Sequence, residues 1–168
     1  GCDEVDPPSS ARVANEHRVR LRFASLQPPA DLVEAFRERG LKVTPQRQLL
    51  FRLLHENDRH PTADALFAEA SAQMPGISLR TVYQTLTDLT GMGELRHVTF
   101  DGGPGHFDPN TRDHHHAICD SCGSITDVYV DGADQLAVDG LDGFSAASTS
   151  IVFNGTCQTC RVENGAAR

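Results

Sequence analysis

Four of the five cysteines in this chain stand in two Cys-x-x-Cys pairs, Cys119 with Cys122 and Cys157 with Cys160, and 34 residues separate the pairs. A pair at this spacing presents two thiolates from one tight knuckle. Two knuckles brought together make a tetrahedral set of four sulfurs suited to zinc. Gly123 follows the first pair and Gly155 precedes the second, and glycine suits the backbone turns of a knuckle. The segment around the pairs needs such a staple. Aromatic residues are 6% of the chain and Trp is absent, so the core is aliphatic and thin, and a structural metal is expected to hold it. A redox dithiol would need one pair at a helix start in a βαβ unit, and no such unit is legible. Four sulfurs leave no open position and no neighbouring general base, so no catalysis is expected there.

Upstream of the cysteines the hydrophobic period is helical. In PADLVEAFRERG, residues Leu32, Val33 and Phe36 share a face and Gly40 is a stop. The next helix begins at Thr44-Pro45, a cap followed by proline at the first helical position, with Leu49, Leu50, Leu53 and Leu54 inward. Thr62 caps a third helix with Leu66 and Phe67 packed. Ser78 caps a fourth, with Val82, Leu86 and Leu89 on one face. Alternation then replaces the helical period: ELRHVTF, a DGGPG turn and HFD predict a β-hairpin. Beyond Asp108, HHHAIC, SITDVYV and FSAASTSIVFNGTC are strand candidates, and GADQLAVDG has room for two or three helical turns. The fold class expected is α+β: an N-terminal winged helix-turn-helix over residues 29–107 and a small C-terminal α/β unit over 108–168. Residues 1–28, with Pro-Pro clusters at both ends, are expected to be a mobile extension in which Cys2 is a stray thiol.

Charge narrows the function classes. The chain carries a net −8, which argues against non-specific polyanion binding. The imbalance is uneven: residues 29–95 have seven Lys/Arg against nine Asp/Glu, and residues 96–168 have four against ten. A local basic face is therefore open to the middle segment, through Arg37, Arg39, Lys42, Arg47, Arg52 and Arg80, and not to the C-terminal one. No apolar run approaches the roughly 18 residues of a membrane span, and residues 1–28 lack the apolar segment of a signal peptide. A cytoplasmic location is the expectation.

The run His114-His115-His116 raises a second metal question. On a strand, i and i+2 point the same way, so His114 and His116 share a face and His115 opposes them. Cys119 differs in parity from both, which separates the histidines from the sulfur site and suggests a second ion. Two imidazoles are an incomplete site. Asp108 before the strand and Asp127 on the next strand are within reach, and His60 opens the third helix. Each alone also reads as a turn aspartate, a solvated strand residue or a helix-start histidine.

Taken together, TPQR, HPTAD, SLRTVYQTL, FDPNTRDHHHAICDSCG, ITDV and GTCQTC resemble the ferric uptake regulator (Fur) family of metal-dependent repressors, from about residue 30 to 161. Within it the chain is most similar to the peroxide-sensing (PerR-like) branch. That resemblance implies a regulatory metal, Fe(II) or Mn(II), held by His60, Asp108, His114, His116 and Asp127, and a structural zinc on Cys119, Cys122, Cys157 and Cys160. It implies a recognition helix at 79–90, with Arg80, Thr81, Tyr83 and Gln84 contacting double-stranded DNA at a palindromic operator, and a homodimer. It also implies oxidation of His60 or His114 by peroxide when iron is bound, a reading that aspartate rather than glutamate at 127 favours. Three departures stand out, one of them the unusual N-terminal extension. The stretch between Cys122 and Cys157 is short for a dimerisation unit with a long helix, and it contains no histidine, so the additional metal site of many members is not expected.

Five ligands spanning both halves would couple them, and the ion would favour the arrangement in which all five converge. In a dimer that sets two recognition helices to the spacing of successive major grooves. A hydrolase built on the His-x-His metal would need a general base not already used as a ligand, and none is legible, so no enzyme is expected. The remaining alternatives are the same fold sensing Fe, Zn or Ni availability, and a zinc-stapled module that does not switch.

Overall fold

The computed structural model describes residues 26–55, 57, 59–100 and 102–165. Cys2 lies outside the described residues. Four helices come first: α1 (Pro29–Glu38), α2 (Pro45–His55), α3 (Ala63–Gln73) and α4 (Leu79–Gly91). Their starts follow the capping residues. The Thr62 hydroxyl accepts from Ala65 N at 3.1 Å, Ser78 from Thr81 N at 3.2 Å and Thr44 from Arg47 N at 3.3 Å, each satisfying an otherwise orphaned helical N–H. α1 and α4 end alike. Gly40 (φ +68°) and Gly93 (φ +79°) take the left-handed position. The following amides, Leu41 and Glu94, bond back to Phe36 O and Leu89 O at 2.9 Å. Only glycine adopts that turn without a Cβ penalty.

The helices pack their apolar faces into one core. Leu32, Phe36, Leu50, Phe51, Leu54, Val82, Leu86 and Leu89 are fully buried, and the Phe36 and Phe51 rings meet edge to face at 4.8 Å. Each such side chain contributes about 1.5–3 kcal/mol on burial. Arg47 and Asp88 tie α2 to α4 through a half-buried ion pair at 2.6 Å, so Arg47 is spent on the fold rather than on an open basic face. Leu26 is 2% exposed and belongs to the same core. Its carbonyl meets His55 Nδ1 at 2.7 Å, and Gln27 donates to Glu94 at 2.9 Å. Leu26 and Gln27 are therefore tied to the helical unit, and the rest of the extension expected over residues 1–28, up to residue 25, lies outside the described residues.

β1 (Arg96–Val98) and β2 (His106–Asp108) pair antiparallel, with Arg96 opposite Asp108. This hairpin is bound to the loop before α3: Thr62 bridges His106, Phe107 N donates to Pro61 O at 2.9 Å, and His106 Nδ1 meets His60 O at 2.8 Å. Phe107 reaches the helical core.

The rest of the chain builds a three-stranded sheet in the order β4-β3-β5. β3 (His115–Cys119) runs antiparallel to β4 (Ile125–Val128) and parallel to β5 (Val152–Gly155). A short helix α5 (Gln158–Gly165) follows. The third strand is much shorter than FSAASTSIVFNGTC suggested, and GADQLAVDG forms a single 3-10 turn at Ala133–Gln135. Burial accounts for both. Among the described side chains, 135–150 are all exposed, and Phe144 is 69% exposed, so no apolar face rewards regular structure there. The core cluster ends at Phe107. Beyond it, among the described residues, the buried apolar side chains are Ile125, Cys119 and Cys160. No described helix is long and apolar enough to cross a membrane.

Candidate metal centres

Parallel pairing of β3 with β5 brings the two knuckles together. Cys119 ends β3 opposite Gly155, and Asp120 N donates to Gly155 O at 2.7 Å. The first knuckle turns at Gly123 (φ +71°), whose N–H bonds Cys119 O at 2.8 Å. Gly155, expected to serve a turn, instead closes strand β5. One Sγ from each of Cys119, Cys122, Cys157 and Cys160 lies within 4.8 Å of the others, and none is in a disulfide. Backbone amides point at the sulfurs: Cys157 N donates to Cys119 Sγ at 3.3 Å and Cys160 N to Cys157 Sγ at 3.5 Å. The N–H groups of Cys157 and Cys122 lower the Cys119 thiol to about 6. The Ser124 hydroxyl and amide lower Cys122, while crowding by Cys157 and Cys122 pushes Cys160 up. Four sulfurs this close cannot all carry charge unless a cation joins them. The donor set fits zinc.

The second cluster is assembled from four places. His60 precedes α3, Asp108 ends β2, His114 and His116 flank the start of β3, and Asp127 sits on β4 opposite His116. His60 Nε2 is 3.0 Å from Asp127 Oδ1 and 3.4 Å from Asp108 Oδ1. His114 Nε2 is 2.9 Å from Asp108 Oδ2 and 3.0 Å from His116 Nε2. Ligand atoms of His60, Asp108, His114 and His116 all lie within 4.8 Å of one another. Asp127 stands at one side, reaching His60 and His114 (3.6 Å). His115 turns away and is buried, accepting from Ile151 N at 3.3 Å.

His60, Asp108, His114 and His116 are 2%, 0%, 6% and 4% exposed. Even so, both His60 nitrogens, Asp108 Oδ2, Asp127 Oδ1 and His116 Nδ1 have no hydrogen-bond partner. Orphaned buried polar atoms cost about 1–3 kcal/mol each. Several converging on one point fit a divalent cation with mixed nitrogen and oxygen donors. His60 also holds φ at +51°, a strained value for a non-glycine residue, and its backbone carbonyl is gripped by His106. Burial pushes Asp108 up, but the imidazoles of His114 and His116, close to Oδ2 without hydrogen-bonding geometry, and the nearby His60 bring it well below the usual carboxylate range. Burial likewise opposes ionisation of Asp127, and His60 and Asn110 outweigh it downward. His114 is lowered by burial and raised by more by the adjacent Asp108 carboxylate, for a net rise.

Asn110 and Tyr129 belong to this centre and were not singled out from sequence. Asn110 is 6% exposed. Its side-chain amide donates to Asp127 Oδ2 at 2.5 Å and Tyr129 OH at 2.8 Å. The signal that could have found it is Asp108-Pro-Asn110 after a strand, an Asx-turn spacing that aims short polar side chains back at their own loop.

On α4, Arg80, Tyr83 and Gln84 are exposed on the face opposite Val82, Leu86 and Leu89. Gln84 donates to Asp88 at 2.9 Å. Thr81 is half-buried and its hydroxyl meets Ser78 Oγ at 2.9 Å, so it serves the helix start.

The profile of the ferric uptake regulator family matches residues 38–153. The peroxide-responsive repressor PerR of Staphylococcus epidermidis is 34% identical over 134 residues, covering 78% of this chain and 89% of the relative. The peroxide operon regulator of Bacillus subtilis is 34% identical over 133 residues, covering 77% and 91%. Among solved structures, the ferric uptake regulator from Francisella tularensis with iron superposes with a TM-score of 0.62 at 26% identity, over 73% of this chain and 96% of that one.

Proposed function

The chain belongs to the ferric uptake regulator family, and from that premise we propose that it is a homodimeric, metal-dependent transcriptional repressor of double-stranded DNA that senses hydrogen peroxide. The observation that carries this reading is the buried cluster of His60, Asp108, His114, His116 and Asp127, with its unpartnered atoms turned inward. The names of the Staphylococcus epidermidis and Bacillus subtilis relatives support the peroxide signal. In this reading residues 29–107 are the winged-helix DNA-binding unit, 108–168 the dimerisation and metal-binding unit, and the protein acts in the cytoplasm.

The four cysteine thiolates hold a structural zinc and keep the sheet closed. The regulatory ion is held by the three imidazoles and two carboxylates. When bound, Fe(II) supplies one-electron reduction of hydrogen peroxide, whereas Mn(II) supplies only charge and geometry. His60 comes from the helical unit, while His114, His116 and Asp127 come from the sheet. Ligation by all five selects one relation between the two units, and this differential binding is the switch. Burial of the cluster excludes bulk water and confines oxidation to the ligands themselves. A ligand imidazole, His60 or His114, that gains an oxygen atom loses its fit, and the units uncouple. Arg80, Tyr83 and Gln84 on α4 face the major groove, with Thr81 fixing the helix N-terminus there.

The test loads the zinc-containing protein with Fe(II) or with Mn(II) and measures operator DNA binding before and after a low dose of peroxide, with mass spectrometry of the His60 and His114 peptides. Loss of binding in the iron form alone, with one added oxygen on a histidine, is the expected result. Retained binding in both forms would assign the protein to sensing of Fe, Zn or Ni availability instead. DNA binding with no regulatory metal added would overturn the switch.

A further inference from the structure

Asn110 touches both acidic residues of the buried cluster, and it touches each at only one oxygen. Its backbone N–H donates to Asp108 Oδ1 at 2.8 Å. Its side-chain amide donates to Asp127 Oδ2 at 2.5 Å. The oxygens left over, Asp108 Oδ2 and Asp127 Oδ1, are buried without a hydrogen bond. These same oxygens face the imidazoles: Asp108 Oδ2 is 2.9 Å from His114 Nε2, and Asp127 Oδ1 is 3.0 Å from His60 Nε2. The orientation of the amide is set by its own partners. Arg112 N donates to Asn110 Oδ1 at 3.2 Å, which leaves the NH2 group for Asp127 and for the Tyr129 hydroxyl at 2.8 Å.

We propose that Asn110 is a positioning residue that sets the coordination number of the regulatory site, by occupying one oxygen of each acidic ligand so that Asp108 and Asp127 each offer a single oxygen to the ion. This rests on the five-ligand reading above and deepens it. A carboxylate can bind a cation through one oxygen or through both. Three imidazoles and two single oxygens make five donors and leave one position open in a six-coordinate shell. If Asp127 swings to bind through both oxygens, that position closes. The backbone contact to Asp108 survives any substitution except proline, so the side chain of Asn110 governs Asp127. A side chain that hydrogen-bonds a ligand in this way orients it without touching the metal.

The experiment uses the full chain with zinc already in the cysteine site, to which Co(II) is added as the probe. Five-coordinate Co(II) absorbs visible light more strongly than six-coordinate Co(II), whose near-centrosymmetric field forbids the d–d transitions. Wild-type protein is expected to give the stronger spectrum. Asn110→Leu, similar in volume and unable to donate, is expected to lower that absorption several-fold while Co(II) stays bound. Asn110→Ser, which keeps a shorter donor, is expected to recover part of it. The serine variant also carries the test alone if the leucine variant does not fold, since its spectrum must then fall below that of wild type. His114→Ala separates this inference from the reading beneath it. A cobalt spectrum lost in His114→Ala but unchanged in both Asn110 variants overturns the role of Asn110 alone. A spectrum indifferent to His114→Ala overturns the five-ligand site and the role of Asn110 with it.

Discussion

The two clusters of this protein answer opposite structural needs. The cysteine cluster is gathered from two turns that a parallel strand pair sets side by side. Cys122 is exposed and Cys157 half-buried, and all four donors lie in the small sheet, its turns and the helix that follows it. The histidine and aspartate cluster draws on the loop before α3, the hairpin and the sheet, and its four mutually close residues are all buried. A site made within one unit can only hold that unit shut. A site made across units reports how they stand to each other. Ligand origin, more than ligand chemistry, distinguishes a staple from a switch.

The sharpest way to break this contrast is to remove one cysteine. Cys119→Ser is expected to abolish the fold of the three-stranded sheet, because structural zinc in small domains supplies about 10–16 kcal/mol of folding free energy and little else is buried there. Amide NMR dispersion lost beyond Asp108 and kept in the helices would show it. Dispersion retained throughout would make the sulfur site dispensable. His60→Ala should do the reverse, leaving both units folded and reducing only metal-dependent DNA affinity, by about 5–150-fold for a typical coupling free energy. Binding curves with and without Mn(II) measure that factor, and an unchanged curve would reduce the protein to a zinc-stapled module that does not switch.

A smaller effect concerns protons. With no metal bound, the pairing of His114 with Asp108 raises the imidazole. Its stabilisation is complete below the ordinary histidine value of about 6.5 and is lost as pH rises through the raised folded value. Asp108 and Asp127 are lowered, so their contribution holds above the ordinary aspartate value of about 3.9 and disappears only on strong acidification. Metal-free protein should therefore melt lower at about pH 8 than at about pH 6. Metal-loaded protein should bind more tightly as pH rises, because the ion displaces the His114 proton. Thermal melts at the two pH values, with and without Mn(II), check both signs. Smallest of all, Ser78→Ala removes the cap of α4 and should cost about 1 kcal/mol, seen as a lower Tm, with Co(II) and Zn(II) affinities unchanged.

Helix starts and stops were legible in the sequence because Thr44, Thr62, Ser78 and Gly40 act on their own neighbours. The cysteine set was legible because its spacing is local and its chemistry is narrow. Three features were not. The partner of Arg47 lies on another helix, and nothing in a basic residue announces a distant aspartate. The short strand at 152–155 depends on pairing with β3, since Val152 and Phe153 remain exposed. Asn110 has no hydrophobic period to mark it. Its meaning comes from two carboxylates, one two residues away and one seventeen away along the chain.

The ties between the hairpin and the loop before α3 have one more consequence. Thr62 bridges His106, and Phe107 bonds Pro61, so the segments that carry His60 and Asp108 are tied together. His116 and Asp127 sit opposite each other on paired strands, with His114 just before the first of them. In the proposed five-ligand site an ion would meet a two-donor jaw and a three-donor jaw. Once the three-donor jaw is loaded, closing the other is an intramolecular event governed by an effective concentration, which the linker over residues 109–113 sets by its length. Lengthening that link at its exposed end, over 111–113 and clear of Asn110, would change this effective concentration while keeping all five residues of the cluster.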